Sequence, residues 1–223
     1  MRRALVWSGL IVLVGLGVIS AVVRVLAIAK VKSVTDARLV AAATMLPDYA
    51  AEIPMIEQGF ADNPSVTLIH VTTGGLFLML GLLQFSPSIR NRHRQFHRWS
   101  GRFLVGLAYL SGVAGIWLGV VAPYSPTERA PTAMAGVMFL ITPIIAVTSV
   151  RRGNLARHRE WMIRFFAVGV GIVVIRIVGP FIIWFMSPTP FRDIVGLTFW
   201  AGWIISVLVA EVWIRRTRAR QLR

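Results

Sequence analysis

Six mostly apolar stretches, at about 4–29, 66–85, 103–122, 132–150, 162–186 and 194–214, constrain this chain more than any other feature. Crossing the hydrocarbon of a bilayer as a helix takes about 20 such residues, so each stretch is long enough to cross once. Together they take up more than half of the 223 residues, and no soluble domain of ordinary size is left over. Hydrophobic residues make up 56% of the chain, above the roughly 45–50% of soluble domains. The expected fold is all-α: a polytopic membrane helical bundle with six transmembrane helices. Function then lies in the bundle, its loops or its partners.

A net charge of +15 in a soluble protein would point to nucleic acid, but the placement of the basic residues gives a better account. Seventeen of them fall on Arg2 and Arg3, the 90–102 and 151–164 connections and the tail from Arg215, all on one side of a six-span topology. The opposite side holds five: Lys30, Lys32, Arg38, Arg129 and Arg192. By the positive-inside rule both termini are cytoplasmic, in a bacterial inner membrane, and the basic loops meet anionic lipid headgroups. Nucleic acid is not an expected partner, because the basic residues lie on separate loops without interleaved aromatics for base stacking.

Four segments follow: an N-terminal transmembrane anchor (1–30), an extracytoplasmic loop (31–63), a five-helix membrane domain (64–216) and a basic cytoplasmic tail (217–223). The start, Met1-Arg2-Arg3 before an apolar run, also has the look of a secretory signal. That run is longer than a signal's and carries Arg24, which favours an uncleaved anchor. The 31–63 loop holds five of the nine acidic residues, and its Ala, Leu and Met content suggests one or two short helices over the outer mouth of the bundle. The remaining connections are short, so helices two to five form a four-helix core of antiparallel neighbours. With no cysteine, disulfides, thiolate metal sites and iron–sulfur clusters are excluded.

Two boundary segments echo each other: Phe96-His97-Arg98-Trp99-Ser100-Gly101-Arg102-Phe103 and His158-Arg159-Glu160-Trp161-Met162-Ile163-Arg164-Phe165. At 100° per residue, each histidine heads a stripe on one helix face. His97 aligns with Gly101, Leu104, Ala108, Gly115 and Gly119, and His158 with Met162, Phe165, Gly169 and Arg176. On helix two, His70, Gly74, Phe77, Gly81 and Gln84 share a face. Small residues on such stripes let helices pack closely, or leave room for a flat ligand.

Ionisable groups in the hydrocarbon usually mark function or a partnered site. At 1.5 Å of rise per residue, His70 and Arg176 sit at depths that let them meet or share a water. Glu211 lies at the level of Arg164, its natural partner in a structural ion pair. His97 and His158 share one level, each a few residues ahead of its apolar run. Two histidines at equal depth are what a b-type haem needs, with Arg102, Arg164 and Arg176 as anion partners. The plainer reading makes each His-Arg pair an interfacial anchor, with Trp99 and Trp161 in the aromatic belt. His93 is read as solvated. Serine-hydrolase and zinc-protease patterns are absent and the carboxylates are scattered, which argues against hydrolysis.

The ordered set His70-x3-Gly74-x6-Gly81-x2-Gln84-Phe85, His97-Arg98-x2-Gly101-Arg102, His158-Arg159-x-Trp161-Met162-Ile163-Arg164, Arg176 and Glu211 resembles a bacterial multi-pass membrane protein family of unknown function, over about 64–216. That family is distantly similar to the two-haem b-type cytochrome superfamily, which places four histidines in a four-helix core. This chain departs from it: helix four has no histidine, only Met134 and Met138. One haem b on His97 and His158, with His70 as a further cofactor-binding residue, is what the similarity implies. The expected role is thus a haem- or quinone-linked redox protein. The alternative is a non-catalytic lipid- or small-molecule-binding protein, or an accessory subunit of a membrane complex, in which His70, Arg176 and Gln84 hold the ligand.

Overall fold

The computed structural model describes residues 2–30, 36, 37, 39–41, 44, 47–49 and 52–218, and among these the regular structure is helical without a strand. In chain order the helices are α1 (Arg2–Ile28), α2 (Ile53–Asp62), α3 (Pro64–Gln84), α4 (Pro87–Arg92), α5 (Arg94–Ile116), α6 (Arg129–Arg151), α7 (Leu155–Met186) and α8 (Phe191–Arg218). A π turn, Trp117–Val121, extends α5, and 3-10 turns cover Pro47–Tyr49 and Pro126–Glu128. Six of the helices (α1, α3, α5, α6, α7 and α8) are long and apolar enough to cross a membrane, and such spans imply contact with the lipid bilayer. Of the expected loop helices, α2 and the turn at Pro47–Tyr49 are seen, while most of 31–51 lies outside the described residues, as do 219–223 of the tail.

Local chemistry sets the helix ends. Proline opens α3 and α4, where its missing N–H would have had no intrahelical partner. The Asn154 side chain caps α7 by accepting from Arg157 N at 2.9 Å, a common N-cap arrangement. Gly153 carries φ +76 in the turn before it, a conformation that glycine adopts without steric cost.

Two helices start earlier than their apolar runs: α5 at Arg94 and α7 at Leu155. His97 and His158 therefore sit inside the first helical turns, their amides bonded to His93 O at 2.9 Å and Asn154 O at 3.0 Å. Hydropathy marks the apolar run, whereas the backbone hydrogen-bond ladder starts several residues before it.

Inside, α3, α5, α6 and α7 meet on an aromatic cluster. Phe77, Phe139 and Phe165 hold their ring centroids 5.0–5.1 Å apart, within the favourable range for edge and tilted pairs. Leu104 and Ala108 of α5 complete this core, and Val14 of α1 and Trp203 of α8 join it from the flanks. The three stripes face inward: Gly169 lies against Phe77, Gly81 against Phe166 and Gly101 against Gln84.

Candidate functional site

The bundle has two unlike ends, a basic end carrying His97 and His158 and a loop end carrying α2. At the basic end the echoed segments build the same local device twice. Arg102 stacks over Trp99 and Arg164 over Trp161, each guanidinium 4.9 Å from its ring centroid. A cation over an indole face is attracted by the ring quadrupole, and one turn of helix brings residues three apart together. The copies then diverge. Trp99 is 62% exposed and Arg102 is exposed, whereas Arg164 turns inward to Glu211, with Nε–Oε1 at 2.5 Å and Nη2–Oε2 at 3.1 Å. Glu160 reaches Arg218 at 2.5 Å, and Arg159 donates to Thr217 at 2.9 Å. These contacts clamp the end of α8 to the start of α7.

His158 donates Nδ1–H to the Ala146 carbonyl at 2.9 Å. Nδ1 of His97 is buried without a hydrogen-bond partner, and His158 and Arg90 are near enough to act on it electrostatically. Gln84 Oε1 lies 3.3 Å from where a Cβ on Gly101 would stand, and Gln84 donates to Ser100 at 2.7 Å. One turn deeper on α7, Met162 packs against the core. At this end Gly101 serves the close packing of α3 on α5.

The loop end holds a cavity of about 330 Å³, to which every one of the six long helices contributes. Its floor is Phe77 and Phe139 of the aromatic cluster, and Phe60 of α2 lies on its wall. His70 and Arg176 both line it, and Arg176 acts electrostatically on His70. The His70 ring occupies the space left by Gly115, where a Cβ would approach Cε1 to 2.8 Å. Its Nδ1 lies 2.8 Å from the Ser111 carbonyl, and the Ser111 hydroxyl donates to the His70 carbonyl at 3.0 Å. A carbonyl only accepts, so Nδ1 carries the proton and Nε2 of the neutral ring keeps a lone pair. Arg176 donates to Ile172 O at 2.8 Å, and Arg24 stacks 4.1 Å over Phe60.

Thr132, Tyr124, Glu128 and Glu52 carry no motif that marks them in the sequence. Thr132 packs on Gly119 of the π turn that extends α5; it is 8% exposed, lines the cavity, and its hydroxyl has no hydrogen-bond partner. Glu128 and Tyr124 line the same space, and Glu128 accepts from Tyr124 N at 2.6 Å. Glu52 accepts from the Tyr124 hydroxyl at 2.9 Å and from Phe191 N, at the start of α8, at 3.1 Å. Burial first, then the hydrogen bond to Glu52 and its charge, pushes the Tyr124 phenol above its usual range. A signal for Thr132 existed: it shares a helix face with Ala135, Gly136 and Phe139, and all four line the cavity.

Neither Met134 nor Met138 lines the cavity, and neither does Gln84, whose contacts are at the basic end. Among the described residues no group of three or more His, Cys, Asp or Glu could hold a metal ion.

The profile of a family described as "Predicted membrane protein (DUF2306)" matches residues 67–214, taking in α3 to α8. No curated protein and no solved structure matches the chain, so nothing among the comparisons supports a similarity to two-haem cytochromes.

Proposed function

The chain belongs to this family of predicted membrane proteins, and on that premise we propose that it binds a small amphipathic molecule, without catalysis, in the loop-end cavity. The observation that carries this reading is the Thr132 hydroxyl, buried and unpartnered on the wall of a cavity of about 330 Å³. Buried polar groups are nearly always hydrogen-bonded, and of the three buried unpartnered side-chain atoms among the described residues, on His97, Thr132 and Thr142, only that of Thr132 belongs to a cavity-lining residue, which supports an occupant there. Ligand pockets run from roughly 300 to 1,000 Å³, mostly apolar with a few placed polar groups, and the mixture of Phe77, Phe139 and Val168 with His70 and Thr132 matches that pattern. A redox reading on His97 and His158 has the unpartnered Nδ1 of His97 in its favour, but neither histidine lines the cavity, and the His158 Nδ1–H is already committed to the Ala146 carbonyl.

Native mass spectrometry of the protein released from mild detergent tests the reading. The wild type is expected to retain one small molecule, and Ala135→Leu, which adds bulk at a buried wall position, is expected to lose it while remaining folded. A wild type with no retained mass, or equal retention by the folded variant, would overturn it.

The same proposal puts the basic end in the cytoplasm of a bacterial inner membrane, with the cavity towards the outer face, on the strength of seventeen basic residues against five. The chain has no cysteine, so Gln58→Cys on α2, an exposed position, gives a single label site. Labelling of intact spheroplasts by a membrane-impermeant maleimide is expected; labelling only after permeabilisation would reverse the orientation.

A further inference from the structure

We infer that the cavity takes a neutral ring bearing hydroxyl groups, of the phenol or quinol class, with one hydroxyl donating to Nε2 of His70 and a second polar atom meeting the Thr132 hydroxyl. The inference rests on the binding reading above and adds the chemistry of the ligand. Three observations support it. The first is the His70 tautomer: with Nδ1–H committed to the Ser111 carbonyl at 2.8 Å, Nε2 is an acceptor and calls for a donor. The second is placement: His70 packs on Gly115 of α5 and Thr132 on Gly119 of its π extension, and both residues line the one cavity, so a single guest has both within its surroundings. The third is the wall, where Phe60, Phe77, Phe139, Phe191, Phe199 and Trp203 offer ring faces and edges suited to an aromatic guest. A cavity of about 150 Å³ is enough for benzene, so about 330 Å³ has room for a substituted ring. Binding alone is inferred, with no electron transfer.

The test uses tetramethylhydroquinone, kept reduced by ascorbate, and tetramethylbenzoquinone, which has the same skeleton but no donor. Calorimetric titration of the full-length protein in detergent is expected to favour the quinol by about tenfold or more, because the quinone sets a carbonyl lone pair against Nε2 and leaves a buried acceptor unpaired. His70→Ala is expected to erase that preference, and Thr132→Val to weaken quinol binding several-fold while leaving the preference in place. If both compounds bind equally, or the quinone more tightly, and Ala135→Leu abolishes their binding, the ligand class is wrong and the cavity reading stands. If neither compound binds while mass spectrometry finds another retained molecule, the class is again overturned. If neither binds and nothing is retained, both readings fall.

Discussion

Replacing Gly202 with alanine is expected to cost about 3 kcal/mol of stability, at the upper end of what overpacking a tight interior usually costs. An added Cβ there would overlap Ile175 Cγ1 and stand 2.8 Å from Ile175 N and 3.0 Å from Ile175 Cα. A side-chain tip can rotate away, but these are main-chain atoms of α7, so the two helices themselves must part. The consequence extends to the cavity, since Trp203 beside Gly202 and Arg176 beside Ile175 both line it. Gly179→Ala is the control, because its Cβ would meet Thr198 Cβ only at 3.6 Å, an ordinary contact. Thermal unfolding in one detergent should show a large drop in Tm for Gly202→Ala and a small one for Gly179→Ala. Equal shifts would mean that α7 and α8 are not packed backbone to backbone.

The second large effect is expected at the basic end. Arg164 and Glu211 join α7 to α8 through two hydrogen bonds, and their side chains are 19% and 28% exposed. Removing one member of a fully buried pair costs roughly 3–5 kcal/mol; partial exposure lowers the expectation to about 2 kcal/mol for either Arg164→Gln or Glu211→Gln. Glu160 lies 4.0 Å from Arg164 and offers it a second carboxylate, which softens the Glu211 loss further than the Arg164 loss. The double variant should therefore lose well under the sum of the two, a coupling of about 1–2 kcal/mol between residues in contact. Strict additivity in unfolding free energy would contradict the pairing.

Much of this architecture is legible in the sequence because hydrophobic length and face are local properties. Six apolar runs give six spans, and the wheel stripes through His70, His97 and His158 turn to the interior because small and polar residues have no reason to face lipid. Arg164 and Glu211 share a level by simple counting of rise, and the structure puts them in contact. What depends on neighbours is not legible. His70 and Gln84 share a face of α3, yet the 14 steps of rise from one to the other amount to about 21 Å, so one belongs to the cavity and the other to the basic end. Gly101 and Gly115 look alike on their helix, but Gln84 fills the space beside the first and the His70 ring the space beside the second. Thr132 is one polar residue in an apolar run; only its seat on Gly119 of another helix, with no acceptor or donor in reach, makes it informative. The echoed His-Arg segments are legible as a repeat, but sequence alone leaves their purpose open. The Trp99–Arg102 and Trp161–Arg164 pairs stack alike, but the first faces outward and the second is drawn into the clamp between α7 and α8.

The most direct measurement is an experimentally phased density map of the protein crystallised from a lipid mesophase. Ordered density is expected in the cavity above Phe77 and Phe139, within hydrogen-bond distance of both Thr132 Oγ1 and His70 Nε2. A collapsed cavity, with the Thr132 hydroxyl bonded to its own helix and no density beside His70, would contradict the binding reading.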